Sequence, residues 1–180
     1  MQATLPSAPP LNRSVIQTPS TPDMRAPKRS RLTTILSGVS GEYFVAAELS
    51  RRGYVASLTL RNTRGIDILA SNANATKSVG IQVKTRQDAG TEWVLSKKAE
   101  ENQEGAVARN LFYVFVSLNG GSAPSFHVVP RGTVARFITD NHRRWLRTPG
   151  RHGRQHVDNP MRKFADPEGK YRDQWDLLGL

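Results

Sequence analysis

Apolar residues recur along this chain at two spacings, and the switches between them mark its elements. Over residues 37–52, Glu42, Val45, Ala46 and Leu49 fall at i, i+3, i+4 and i+7. That is one face of a helix, and Gly53 stands where such a helix stops. Strand-like patterning follows. Residues 54–60, 66–71 and 78–86 read as three strands, with a turn over 61–65 and a hairpin connection over 72–76. A weaker strand over 92–95 leads to Ser96, placed to cap a mostly polar helix over 97–108. The near-continuous apolar run 111–118 predicts a strand buried on both faces, broken by Gly120-Gly121 and followed by a strand over 126–129. Thr133 then caps an amphipathic helix. Val134, Phe137, Ile138, Asn141 and Trp145 form one stripe, and Arg136, Asp140, Arg143 and Arg147 the opposite one, up to Pro149-Gly150. A basic loop comes next, then a short helix over 171–178 with Tyr171, Trp175 and Leu178 at i, i+4 and i+7.

The order helix, three strands, helix, strand, strand, helix predicts an α/β sandwich around a mixed central sheet. Three regions follow. Residues 1–31 are rich in Pro, Ser and Thr and lack the apolar surface that would offset ordering entropy, so a disordered basic tail is expected. Residues 32–148 form the domain, and 149–180 a basic loop and short helix packed on it. At 180 residues the chain can bury a core without covalent staples. It has no cysteine, which excludes disulfides and thiolate metal sites. No apolar run approaches the ~20 residues of a membrane span. These features lead us to expect a cytoplasmic protein with no membrane partner. Charge narrows the partners further: 26 Lys and Arg against 15 Asp and Glu give a formal +11, which favours a polyanion, DNA first and RNA not excluded.

Two of the strands carry polar residues where a plain core strand would not. In 78–86, Val79, Ile81, Val83 and Thr85 point one way and Gln82, Lys84 and Arg86 the other. In 66–71, Ile66, Ile68 and Ala70 share a face, leaving Asp67 opposite. If the two strands pair through the short hairpin, Asp67 shares a face with Gln82 and Lys84. Glu42 adds a carboxylate on the apolar stripe of the first helix, a costly position unless paired or metal-bound. Glu48 falls on the solvent side and can pair with Arg52. Two carboxylates, an amide oxygen and a backbone carbonyl at Val83 make a hard-oxygen site suited to Mg²⁺ or Mn²⁺. Lys84 would stabilise a nucleophilic hydroxide and offset charge on a phosphate. Taken singly, each residue has a plainer reading: Asp67 paired with Arg61 or Arg64, Gln82 and Lys84 on a solvated strand face, Glu42 at a helix N-terminus. All four in this order on these faces favour the site.

With Gly-Ile-Asp-Ile at 65–68, Gln-Val-Lys at 82–84 and a helix Glu at 42, the chain resembles the PD-(D/E)XK nuclease superfamily. Within it, the Mrr-type restriction enzymes and the archaeal Holliday-junction-resolvase relatives are the most similar branch. The resemblance implies a restriction-endonuclease-like three-layer sandwich with core order α-β-β-β-α-β. It further implies Asp67, Gln82 and Glu42 near the metal and Lys84 as the catalytic lysine. Gln82 stands where Glu is commoner, which removes one negative charge, and Gly65-Ile66 replaces the proline that names the superfamily.

The second half is arginine-rich. Arg131, Arg136, Arg143, Arg144, Arg147, Arg151 and Arg154, with Arg64 and Arg86 nearer the strands, suit a grip on the nucleic-acid backbone more than base reading. His152 and His156 mimic a metal pair but lie in a Gly- and Arg-rich segment with no helical pattern, so zinc is not expected there. The expectation is a Mg²⁺-dependent (or Mn²⁺-dependent) DNA endonuclease, homodimeric because each such site cuts one strand. Its rival is a nucleic-acid-binding module that keeps the fold without catalysis.

Overall fold

The computed structural model describes residues 31–60, 65–101 and 110–180. The expected disordered tail over 1–31, apart from Arg31, lies outside the described residues, as do the turn at 61–64 and most of the helix expected over 97–108.

Helix α1 spans Thr34–Arg51, capped by the Thr33 hydroxyl, which accepts the Leu36 N–H at 3.2 Å. Strands β1 (Val55–Leu58), β2 (Ile68–Ser71) and β3 (Ser78–Arg86) form an antiparallel meander. Strand β5 (Leu111–Ser117) lies parallel to β3, and β6 (Ser125–Pro130) returns antiparallel to β5. The sheet order is β1-β2-β3-β5-β6, a mixed sheet with the wholly buried β5 inside it. Two strands lie apart: β4 (Glu92–Ser96) pairs with β7 (Met161–Ala165) in a second, two-stranded sheet. Helix α2 is Arg131–Arg147.

These elements make three layers. On one face of the large sheet, Val45 and Leu49 of α1 meet Ile68, Ile81, Val83, Val114, Val116 and Val128, joined by Trp175 and Leu178 from the C-terminal 3₁₀ turn Trp175–Leu178. On the other, Val134 and Ile138 of α2 and Trp93, Leu95 and Phe164 of the small sheet cover Tyr113, Phe115 and Val129. Phe115 and Phe164 stack with ring centroids 4.5 Å apart. The α/β sandwich with a mixed central sheet is therefore as expected. Among the described residues no helix is long and apolar enough to cross a membrane.

Several elements differ from the sequence reading. The buried stripe of α1 is Ser37, Gly41, Val45 and Leu49, so Glu42 is half-buried on its flank. Glu48 bonds both Arg51 and Arg52. Helix α2 starts at Arg131, directly after Pro130, so Thr133 lies in its first turn and caps nothing. Its buried stripe takes His142 in place of Asn141 and Trp145. The segment expected as a basic loop contains β7. The helix expected over 97–108 begins as a 3₁₀ turn at Lys97–Glu100.

Buried polar pairs tie the small sheet and the C-terminus to the rest. His127 Nδ1 sits 2.7 Å from Asp166, whose two oxygens also accept the Lys170 and Tyr171 N–H groups. The buried Arg162 guanidinium bonds Glu100 and the carbonyls of Asn159 and Met161. Asp158 bonds Lys97 and His142, in that order of effect, and is held well below the usual carboxylate range.

Gly41 sets how closely α1 lies on β3. A Cβ at Gly41 would overlap Thr85 Oγ1 and stand 3.0 Å from Thr85 Cβ. Gly41→Ala is therefore expected to destabilise the fold by about 1–3 kcal/mol in denaturant unfolding, despite the better helix propensity of Ala. Adding Thr85→Ala should recover part of the loss. An unchanged single variant would show that α1 does not bear on β3 as described.

Candidate active site

Strand β3 alternates as expected: Ile81 and Val83 are buried under α1, and Gln82 and Lys84 are half-buried on the opposite face. Parallel pairing with β5 sets Tyr113 beside Gln82 and Phe115 beside Lys84. Residues facing each other across a ladder share a face, so Tyr113 joins the polar pair.

The expected strand 66–71 is cut short, and the cause is Asp67 itself. The β2–β3 ladder ends at Ile68 opposite Ile81. The Asp67 N–H still bonds the Ile81 carbonyl at 2.8 Å, but its carboxylate then takes over, Oδ2 accepting the Val83 N–H at 2.7 Å. A side chain thus fills the place of the next ladder carbonyl. Gly65 (φ 69°) precedes this point in a conformation suited to glycine. A strand residue turns its N–H and C=O to the same side, so the Val83 carbonyl faces the gap beyond β2 along with the amide that Asp67 takes.

Next to this point lies a cleft of about 710 Å³ between the large sheet and the small one, lined by Gly65, Gln82, Lys84, Ser96, Lys98, Glu101, Tyr113 and Arg131 among others. Among the described residues Lys84 makes no hydrogen bond or ion pair, and the same is true of Gln82. Burial, opposed by Arg131 and reinforced by the Asp67 charge, pushes the Tyr113 phenol above its ordinary range, so it stays a donor at neutral pH.

Of the four residues predicted to form the site, Gln82 and Lys84 line the cleft, and Asp67 adjoins it through its bond to the Val83 N–H between them. Glu42 belongs to the α1 layer, on the face of Ile81 and Val83, and does not line the cleft. Among the described residues no group of three or more His, Cys, Asp or Glu is gathered to hold a metal ion. The donors at hand are the remaining Asp67 oxygen, the Gln82 amide and the Val83 carbonyl. They suit a hard divalent cation in kind, and they bring less negative charge than a two-carboxylate set.

The arginines divide. Arg64 lies outside the described residues. Arg86 braces the loop into β4, donating to the carbonyls of Asp88 and Glu92 at 3.0 and 2.9 Å, which leaves less of it for a ligand than expected. Arg136, Arg143, Arg144 and Arg147 are exposed along α2, the last three lining a shallow groove of about 370 Å³ with Asp140 and Thr148. Arg151 and Arg154 are exposed on the following loop. His156 stacks on Trp145, ring centroids 4.0 Å apart.

Tyr113 lines the cleft without having been singled out, and Arg131, expected only as part of the basic second half, lines it too. The apolar run around Tyr113 reads as core, and only the parallel register with β3 brings it to Gln82.

No protein-family profile and no curated protein sequence matches the chain. Among solved structures it is similar to Hjc, a Holliday junction resolvase from the archaeal hyperthermophile Archaeoglobus fulgidus. That match has 16% identity over 72% of this chain and 84% of that one, with a TM-score of 0.43. It is also similar to the bacterial homing endonuclease I-Ssp6803I, with 17% identity over 82% of this chain and 92% of that one and a TM-score of 0.46. Likeness this distant says nothing of individual residues, and the site stands on its own geometry.

The double part of Asp67, as ladder cap and as charge, can be separated. Asp67→Asn keeps an oxygen for the Val83 N–H, while Asp67→Ala leaves that amide without an acceptor. The alanine variant should be less stable than the asparagine one by about 1–2 kcal/mol in denaturant unfolding. Equal stabilities would remove the capping role.

Proposed function

We propose that the chain is a divalent-metal-dependent endonuclease that hydrolyses DNA phosphodiester bonds in the cleft beside Lys84. The observation that supports this best is Gln82 and Lys84 on the cleft face of β3 with Asp67 bonded to the intervening Val83 N–H where β2 gives way, and Lys84 unpartnered among the described residues. A basic chain with exposed arginines along α2 and the loop after it fits a polyanionic substrate.

Asp67, Gln82 and the Val83 carbonyl would hold Mg²⁺ or Mn²⁺, with Glu42 reaching the site from the α1 side past the open edge of β3. When bound, the ion would supply charge to polarise the phosphate and acidify a water. Lys84 is placed to hydrogen-bond the attacking oxygen and to offset the charge that grows on the non-bridging oxygens in the transition state. In-line attack forms one P–O bond as the bond to the leaving sugar oxygen breaks. Arg136, Arg143, Arg144, Arg147, Arg151 and Arg154 would hold the backbone on either side. One site cuts one strand, so cutting both would take a second copy of the chain.

A second reading has an observation of its own. Gln82 contributes no charge and Glu42 sits in another layer, which suits a fold that binds nucleic acid without cutting it.

Incubation of linear, supercoiled and branched DNA with Mg²⁺ or Mn²⁺ separates the two. Wild type should cleave at least one substrate, and EDTA should abolish cleavage. Asp67→Asn and Lys84→Ala should each lower the rate by about a hundredfold or more without loss of fold. Salt-sensitive binding with no cleavage under any of these conditions would favour the binding module.

A further inference from the structure

Strand β6 ends at Pro130, opposite Phe112, and α2 begins at the next residue. Arg131 therefore leaves from the far side of β5, yet its side chain comes back across the sheet. Its charge acts on the Tyr113 phenol, the lateral neighbour of Gln82. Its Nη1 lies 4.0 Å from where a Cβ on Gly65 would stand, two residues ahead of Asp67. An element that owes nothing to β2 or β3 thus delivers a guanidinium to the loop that carries the carboxylate.

Nothing among the described residues answers that charge. Among the described residues Arg131 has no ion pair within 4.0 Å, although Glu101 lines the same cleft. Its Nε is buried and has no acceptor. A partly buried guanidinium without an anion is costly, and an unmet buried N–H adds to the cost. Lys84 faces the same cleft, likewise unpartnered. Lys84, Lys98 and Arg131 line the cleft against Glu101 and the adjoining Asp67, which already spends one oxygen on Val83. The surplus is of positive charge and of N–H donors, in the planar arrangement that matches oxyanions.

We propose that Arg131 is a phosphate-binding residue of this cleft, holding a nucleic-acid backbone phosphate adjacent to the one that Lys84 attends. The inference rests on the cleft being the nucleic-acid site proposed above, and it adds a residue that positions the substrate strand across the sheet. Tyr113, kept protonated, lies within the same cleft as a second donor.

The test is equilibrium binding of a fluorescently labelled 20-base-pair duplex in EDTA, over a salt series, for wild type, Arg131→Gln, Arg131→Lys and Lys84→Ala, with inorganic phosphate as competitor. Arg131→Gln should weaken binding by about 10- to 100-fold. It should also lower the slope of log affinity against log salt by about one. Arg131→Lys should keep the slope and lose part of the affinity. Where cleavage is measurable, Arg131→Gln should raise KM more than it lowers kcat. Thermal unfolding of each variant separates lost contact from lost fold. An Arg131→Gln protein that is folded and binds with unchanged affinity and slope overturns the inference while leaving the nuclease reading intact. Arg131-dependent binding without cleavage does the reverse. Absence of salt-dependent binding in wild type removes both.

Discussion

A carboxylate standing in for a backbone carbonyl holds this molecule's candidate chemistry together: Asp67 Oδ2 accepts the Val83 N–H that a longer β2 would have satisfied. Buried amides must find acceptors, so the end of the ladder and the placing of the carboxylate are one event. Because Asp67 is tied to Val83, it is also tied to the two residues flanking Val83. Gln82 and Lys84 share the cleft face of β3 through the strand period alone. The parallel register of β5 then adds Tyr113, and the start of α2 adds Arg131. Without the bond, the residues just before β2 would be held by the Asp67 N–H to Ile81 and by Thr59, which bonds the Ile66 and Asp67 carbonyls.

The electrostatics of the cleft are lopsided. Lys84, Lys98 and Arg131 line it, against Glu101 and the adjoining Asp67. A site this poor in negative charge attracts phosphate strongly and a divalent cation weakly. That balance suits binding first and metal second, with substrate oxygens completing a coordination shell that the protein leaves short. Gln82 is the residue on which the balance turns.

Much of this was legible in the sequence because long alternation and long apolar runs leave few alternatives. Strand β3 is an example: its hairpin partner and its two faces follow from period two. What escaped did so for physical reasons. The α1 stripe of Ser37, Gly41, Val45 and Leu49 begins with two small residues that carry no hydrophobic signal, so the apolar periodicity pointed slightly aside and drew Glu42 into the core. Strand β7 hides in a basic segment, and its partner β4 lies far away in the chain. The α2 start was set by Pro130, whereas the side chain of Thr133 suggested a cap. Tyr113 reaches the site, and Arg131 this particular cleft, through long-range pairing, which no local pattern encodes.

Titration of Mn²⁺ into the full chain by calorimetry, for wild type and Gln82→Glu, tests most directly whether these oxygens form a cation site. Wild type should bind weakly, and the added carboxylate should tighten binding by about tenfold or more. Binding that is absent from both proteins, or indifferent to the substitution, would contradict a metal site at Asp67, Gln82 and Val83.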